Sequence, residues 1–444
     1  MNPFNRRAFI KAAIAAAPAS AFLTLPNNAH AGRKASVVVV GGGFGGATAA
    51  KYLKKMDPAL DVTLVERLKT YTSCPLSNEI LTGHGKIEDL QTGYDGLAKR
   101  GVKVMFDDAI GIDAAAKTVK LNSGTTLKYD ALVLSPGIDF NYGAVEGYSE
   151  QLANTSHPHA WKAGPQTLAL KKQIEAIPDG GVFVLSVPPK PFRCPPGPYE
   201  RASLVASYFK HHGKHKSKVL ILDANDSFSK KGLFEQAWKM HYNGMIQWVP
   251  GAEGGKVTKM DAKTNTAFTD FGEYKADVLN IIPPHHAGAI AKNAGLANAQ
   301  GWCEVDMLTM ESAVQKDIWV IGDACIHGDL PVYDAPKSAH IANTQAKVAA
   351  GCHHRQAQRR ARAGTLLRQH LLQHRCRRLG LLRGAHLPGR GRQAGVHQGS
   401  RRHQPGQHGR RGPAEAAAQA GVALRGGLVQ EHHGRRLRLR RSRQ

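Results

Sequence analysis

Apolar residues in this chain fall into short unbroken runs, separated by helical stretches or by clusters of Gly and Pro. Val37–Val40 is continuously β-branched, the pattern of a strand buried on both faces of a sheet. Asp61–Val65, Tyr129–Leu134, Val182–Val187, Lys218–Asp223 and Asp317–Ile321 read as further strands of the same kind. Ala47–Leu53 and Asn343–Ala350 carry helical patterns, and Val102–Leu127 reads as a hairpin region. Strands that alternate with helices predict an α/β chain built on parallel sheets. At 444 residues it has room for two or three domains, at roughly 100–200 residues each.

The first strand runs directly into Gly41-Gly42-Gly43-Phe44-Gly45-Gly46 and then into a helix. This is G-x-G-x-x-G in its strand–turn–helix setting, the arrangement that binds a dinucleotide. Gly41 makes the tight turn, Gly43 lets the backbone approach a pyrophosphate, and Gly46 allows helix and strand to pack closely. The helix N-terminus offers unpaired N–H groups to the phosphates. The second strand ends in Glu66, suited to hydrogen bonds with an adenosine ribose. A third closes on Ser135-Pro136-Gly137. Far along the chain another ends in Gly322-Asp323-Ala324, in the order in which FAD enzymes contact the ribityl chain.

A second dinucleotide unit would start at Val182–Val187, but no Gly-rich loop follows. The chain reads Pro188-Pro189-Lys190-Pro191-Phe192-Arg193-Cys194-Pro195-Pro196-Gly197-Pro198-Tyr199-Glu200. Proline has no N–H to give a phosphate and cannot open the turn as Gly does. This unit is therefore expected not to bind NAD(P).

Composition changes the picture at the two ends. The N-terminus has Asn5-Arg6-Arg7-Ala8-Phe9-Ile10-Lys11, an Ala-rich apolar run to Leu25, and Ala29-His30-Ala31. That is the layout of an export signal, with the Arg pair pointing to the twin-arginine route and a mature protein starting at Gly32. The run is shorter than the roughly 20 apolar residues that span a bilayer, so no membrane span is expected. Of the formal charge of +26, +20 lies beyond Gly351 and only +6 before it. The six cysteines, Cys74, Cys194, Cys303, Cys325, Cys352 and Cys376, fit no zinc spacing and no haem-attachment motif. No metal site is expected, and any haem must come from a partner.

Several motifs together resemble one family, the flavoprotein subunit of flavocytochrome c sulfide dehydrogenase, within the two-dinucleotide-binding-domain flavoproteins. They are Tyr71-Thr72-Ser73-Cys74-Pro75-Leu76-Ser77-Asn78-Glu79, His159-Ala160-Trp161-Lys162-Ala163-Gly164, and the Phe192–Glu200 run. Gly301-Trp302-Cys303 and Gly322-Asp323-Ala324-Cys325 add to them. The resemblance covers about Gly32 to Ala350. It implies an α/β fold of two Rossmann-like domains of the glutathione-reductase type. Residues 1–31 are the export signal. Residues 32–150 and 284–351 form the FAD domain, interrupted by a degenerate NAD-like domain over 151–283. The expected cofactor residues are Gly41, Gly43, Gly46, Glu66, Cys74, Pro136, Gly137, Gly322 and Asp323. The resemblance implies that Cys74 holds FAD through a thioether; the alternative is a buried structural thiol. Cys194 matches one half of a redox-active disulfide. Hydrosulfide would attack that disulfide, leaving a persulfide and a thiolate that reduce the flavin. Glu200 is either the proton acceptor for this step or a surface or ion-paired carboxylate. Cys303 and Cys325 have a structural role or form a separate disulfide. The implied protein is a periplasmic, FAD-dependent sulfide dehydrogenase subunit that passes electrons to a cytochrome c subunit. The other enzyme reading is a sulfide:quinone oxidoreductase.

Residues 352–444 contain no Phe, Tyr, Trp, Ile, Met, Lys, Asn or Asp, and cannot build an ordinary core. A basic nucleic-acid arm is one reading, weakened by the lack of Lys and of aromatic stacking residues. A frameshift in a GC-rich gene is the sharper one. Thr365–Arg375 can be encoded so that a reading one nucleotide downstream gives Pro-Tyr-Tyr-Val-Asn-Thr-Cys-Tyr-Ser-Ile-Val, which resembles the family segment with the second redox cysteine. Leu428–Gly434 likewise yields Trp-Tyr-Lys-Asn-Ile-Thr, resembling the family's C-terminal end. The break then lies near Gly351, and a disordered basic tail replaces the C-terminal interface domain. No nucleic-acid partner is expected.

Overall fold

The structure is a computed structural model and describes residues 35–327 and 335–356. The expected export signal and almost the whole Arg-rich tail lie outside the described residues. Mixed α/β architecture is observed, organised on two parallel sheets.

The first sheet has five strands, all parallel. In chain order they are β1 (Ser36–Val40), β2 (Asp61–Glu66), β3 (Lys103–Phe106), β4 (Ala131–Leu134) and β9 (Ile318–Val320). Across the sheet they run β9-β4-β1-β2-β3. β1 sits at the centre, where the β-branched run Val37–Val40 is buried from both faces, as continuous apolar strands of parallel sheets are. Helix α1 (Phe44–Met56) follows β1 and buries Gly45, Gly46, Ala49, Ala50 and Leu53 against the sheet. Strand β9 enters this sheet from late in the chain, so Gly322 and Asp323 emerge beside the glycine loop.

The expected hairpin over Val102–Leu127 is only partly right. Lys103–Phe106 is the parallel edge strand of the main sheet. The antiparallel part is a three-stranded sheet of Ala109–Asp113, Thr118–Leu121 and Thr126–Lys128. Lys103–Phe106 is short, with half-buried middle residues and exposed ends, so its pattern alone does not separate a parallel edge strand from a hairpin strand.

The second parallel sheet comprises β5 (Val182–Val187), β6 (Lys218–Asp223), β7 (Ile246–Val249) and β8 (Val278–Ile281), in the order β7-β6-β5-β8. Helix α2 (Gly197–His211) follows the proline-rich loop after β5. At the end of β6, Asp223 occupies the place in this unit that Glu66 holds in the first, but it is fully buried. It accepts hydrogen bonds from Tyr199 Oη, from Trp248 Nε1 (2.9 Å), and from the backbone N and Nδ2 of Asn225 (2.9 and 2.8 Å). Tyr199 stacks on Phe228 with ring centroids 3.7 Å apart, and Trp248 packs edge-on against the same ring at 5.3 Å. A carboxylate so fully engaged, behind an aromatic cluster, has no capacity left for a ribose. NAD(P)H is therefore expected neither to bind measurably nor to reduce the bound flavin. Anaerobic mixing with NADH and with NADPH checks this by flavin absorbance; rapid bleaching would contradict it.

The last described element is helical over 339–356, longer at both ends than the pattern over Asn343–Ala350 suggested. Its Ala342, Ala346, Ala349 and Ala350 are buried. Asn343 Nδ2 donates to Thr48 Oγ1 at 2.9 Å, tying this helix to α1. Gln345 Oε1 accepts from the Gly322 N–H at 2.8 Å. Among the described residues, no helix is long and apolar enough to cross a membrane.

Candidate active site

The chain's glycine loop opens onto a cleft of about 770 Å³. Gly41 takes φ +93°, and a Cβ there would lie 2.2 Å from Ser135 O. A Cβ on Gly46 would lie 1.8 Å from Gly41 O. These two glycines are demanded by the protein's own backbone. Gly43 is different: its φ is ordinary and a Cβ would meet nothing nearer than the Tyr71 ring at 3.5 Å, so protein packing does not require glycine there. The helix that follows has no side-chain cap, leaving its first N–H groups turned to the cleft.

Glu66 lines the cleft and also braces it. Its carboxylate accepts the Gly42 N–H at 2.6 Å and the Leu68 N–H at 3.0 Å. A carboxylate offers about four lone-pair sites, so acceptor capacity remains. Pro136, Gly137, Gly322 and Asp323 line the same cleft. Asp323 Oδ1 is buried with no hydrogen-bond partner. Burial raises the Asp323 pKa, against the pull of Arg193 and Lys337. Lys337 Nζ donates to the backbone carbonyls of Asp323 and Cys325, each at 2.9 Å, and lies 3.8 Å from the Trp302 ring centroid. Of the expected cofactor residues, all but Gly46 line this one cleft; Gly46 supports it from behind.

Cys74 and Cys194 both reach the cleft, half-buried and as thiols. Cys194 adopts φ +60°, strained for a non-glycine residue. It is held there by its N–H on Lys337 O at 2.9 Å and its carbonyl on the Gly197 N–H at 2.8 Å. Gly197 has no room for a side chain, because a Cβ would lie 2.9 Å from both Cys194 Sγ and the Trp161 ring. Burial, then the nearby Glu200 charge, pushes the Cys194 thiol up to about 11, with Arg193 opposing. Glu200 lines the same cleft with an exposed outer edge. Partial burial raises its pKa, and Lys230 opposes the shift.

Two arginines escaped the reading of the sequence, although both lie in or beside its most distinctive run. Arg201 is fully buried yet well supplied with partners. It donates to Asn78 Oδ1 (3.0 Å), His159 O (2.7 Å), Asn280 Oδ1 (2.7 Å) and Ala160 O (2.8 Å), and lies over the Trp161 ring at 4.8 Å. With acceptors but no carboxylate among these, burial lowers its pKa to about 9. Arg193 lines the cleft, and its buried Nη2 has no hydrogen-bond partner. Nothing in local periodicity signals either role, since both depend on segments far apart in sequence. Cys303 and Cys325 lie away from the cleft lining, as register partners on a short parallel pair, Cys303–Val305 with Cys325–His327. Both are buried thiols.

Residues 167–283 match the family model described as the central part of the sulfide dehydrogenase (flavocytochrome c) flavoprotein chain. Residues 35–169 match the pyridine nucleotide-disulphide oxidoreductase model. The sulfide dehydrogenase flavoprotein chain of Chlorobaculum thiosulfatiphilum is 61% identical over 44 residues, which is 10% of this chain and 92% of that sequence. The mitochondrial sulfide:quinone oxidoreductase of Dictyostelium discoideum is 25% identical over 324 residues, 71% of this chain and 69% of the relative. Its mouse counterpart is 22% identical over 300 residues, with 65% of each covered, so the chain spans about two thirds of these relatives. In fold, it superposes on the sulfide:quinone oxidoreductase of Aquifex aeolicus with a TM-score of 0.60 at 20% identity, covering 71% of this chain and 76% of that one.

Proposed function

This chain belongs to the family of the sulfide dehydrogenase flavoprotein chain, a family of flavin-dependent oxidoreductases, and on that premise we propose that it binds FAD in the cleft, oxidises sulfide at Cys194 in the periplasm and passes the electrons to a cytochrome c subunit. The observation that carries the proposal is convergence. A dinucleotide loop, two cysteines, an orphaned carboxylate and an orphaned guanidinium, drawn from four distant segments, line one cleft.

The residues present fit FAD. The loop Gly41–Gly46 and the α1 N-terminus would take the pyrophosphate. Glu66 would use its remaining acceptor capacity on the adenosine ribose. Asp323 Oδ1, buried without a partner, is the acceptor that a ribityl hydroxyl would satisfy, since a buried polar atom left unpaired costs about 1–3 kcal/mol. When bound, FAD supplies a centre that takes electrons two at a time and releases them singly.

The protein's part is to activate sulfur. In the disulfide-bonded state that the reading requires, hydrosulfide would attack Cys194 Sγ, and the bond from Cys194 to its partner cysteine would break to leave that partner as a thiolate. Glu200 would take the proton released as the sulfur nucleophile ionises; its raised pKa brings it nearer the working range. Cys74, at the cleft wall, would anchor the cofactor covalently. Acid precipitation tests that anchor. Flavin absorbance is expected to stay with the pellet in the parent chain and to pass to the supernatant in Cys74→Ser; a colourless parent pellet refutes the thioether. Acceptor choice is tested by supplying sulfide with cytochrome c or with a soluble quinone. Reduction of cytochrome c should dominate, and quinone reduction at comparable rates would favour the quinone-reducing reading.

A further inference from the structure

We propose that Arg193 is the anion-holding group of this site, a cation kept without protein partners so that it can grip the sulfur anion at Cys194. The proposal deepens the sulfide-oxidising reading and rests on it for the identity of the anion. Arg193 immediately precedes Cys194 and lines the same cleft. A guanidinium carries five N–H donors, and a buried one is ordinarily paired or fully hydrogen-bonded.

Arg201, one turn into the following helix, shows the ordinary solution, with all three of its nitrogens donating to protein oxygens. Arg193 does the opposite. Its backbone is tied down at both ends, the N–H donating to His285 Nδ1 at 3.0 Å and the carbonyl accepting from Trp161 Nε1 at 3.2 Å. Its buried Nη2 has no hydrogen-bond partner among the described residues. The peptide is fixed, and the side chain lines the cleft with a buried donor left unpaired.

The charges that surround Cys194 make a cation useful there. Glu200 and Asp323 both raise its thiol pKa, and Arg193 is the side chain that lowers it. Arg201 also feels the Cys194 charge, but its donors are spent on the backbone and on Asn78 and Asn280. Burial alone would lower the Arg193 pKa; the anionic forms of Cys74, Asp323, Tyr71 and Cys194 around it raise it instead. His285, which accepts the Arg193 N–H, is held neutral by burial and then by Arg193 itself, so it brings no competing charge. Lys337 contributes its carbonyl to Cys194 and directs its Nζ to two other carbonyls. Arg193 is thus the cation with donors to spare beside the sulfur.

The test is alkylation of Cys194 in the full, reduced chain, followed by peptide mass spectrometry, with iodoacetate and iodoacetamide as paired anionic and neutral probes. Their rate ratio cancels differences in access and in thiolate fraction. In Arg193→Met the ratio should fall by about fivefold to tenfold, the scale of an opposite charge within a few ångströms. In Arg193→Lys, which keeps the charge, it should stay within about twofold of the parent. Thermal melting supplies the second readout. A guanidinium with no protein partner is costly to bury, so Arg193→Met should melt at the same temperature as the parent or higher. An unchanged ratio in Arg193→Met overturns the proposal. So does a melting temperature lowered by several degrees, or failure to fold, since either marks a structural arginine. Neither readout requires sulfide turnover, so failure here is distinct from failure of the sulfide-oxidising reading.

Discussion

Gly43→Ala should leave the chain folded and cost it most of its affinity for FAD. The three motif glycines are not equivalent. Gly41 combines φ +93° with a Cβ position 2.2 Å from Ser135 O, and Gly46 would place a Cβ 1.8 Å from Gly41 O. Substituting either breaks the loop itself, and lost flavin would then report only a damaged fold. At Gly43 the nearest protein atom to a Cβ is 3.5 Å away, an ordinary contact, and the residue is the N-cap of α1 with φ −69°. The protein can hold alanine there; a pyrophosphate lying against the backbone cannot. Overpacking a tight contact costs about 1–3 kcal/mol, or roughly tenfold to a hundredfold in Kd. Titration of FAD into the Cys74→Ser background, where uptake is reversible, measures it. Melting of the FAD-free chain should differ from its parent by less than about 1 kcal/mol, within reach of a Gly-to-Ala change at an N-cap. Unchanged FAD affinity would show that the pyrophosphate does not pass over Gly43.

What could be seen in the sequence divides along physical lines. The first dinucleotide unit was legible because its logic is local. A strand buried on both faces must be continuously apolar, the turn after it must be glycine, and the helix begins at once; all three signals lie within Val37–Leu53. The missing glycines after Val187 were legible for the same reason. The reason this second unit is closed was not. Asp223 stands where a ribose-binding carboxylate would be, and only the tertiary structure brings Tyr199 and Trp248 onto it. Lys103–Phe106 was misplaced because a four-residue, half-buried edge strand carries too short a pattern to tell parallel from antiparallel pairing. Arg193 and Arg201 are adjacent to the residues first singled out, yet their difference lies wholly in partners. One is met by Asn78, His159, Ala160 and Asn280 from distant segments, while the other is left with an open donor.

The largest effect is expected at the second sulfur. Among the described residues, Cys74 and Cys194 are the only cysteines that line the cleft. If Cys74 is committed to the cofactor, Cys194 has no sulfur there with which to form the disulfide that hydrosulfide must attack. Cys303 and Cys325 face each other on their own strand pair, and Cys352 Sγ contacts Leu308 O and Arg355. A disulfide needs Cα atoms within about 7 Å. In this reading the partner comes from beyond residue 356, where the shifted reading across the codons of Leu371 and Leu372 would supply a cysteine; the chain as written has two leucines there, and Cys376 close by among altered flanking residues. Restoring that frame downstream of codon 351 should therefore raise sulfide-dependent cytochrome c reduction by about a thousandfold or more, the order lost when one member of a nucleophilic unit is removed. In the restored chain, Cys194→Ser should return the rate to the level of the chain as written, while FAD stays bound. The measurement is steady-state reduction of the cytochrome subunit, with the mass of each polypeptide confirmed intact. Rates within tenfold between the two frames would show that the Arg-rich tail supplies a competent group of its own. Full activity in restored Cys194→Ser would remove Cys194 from the chemistry altogether.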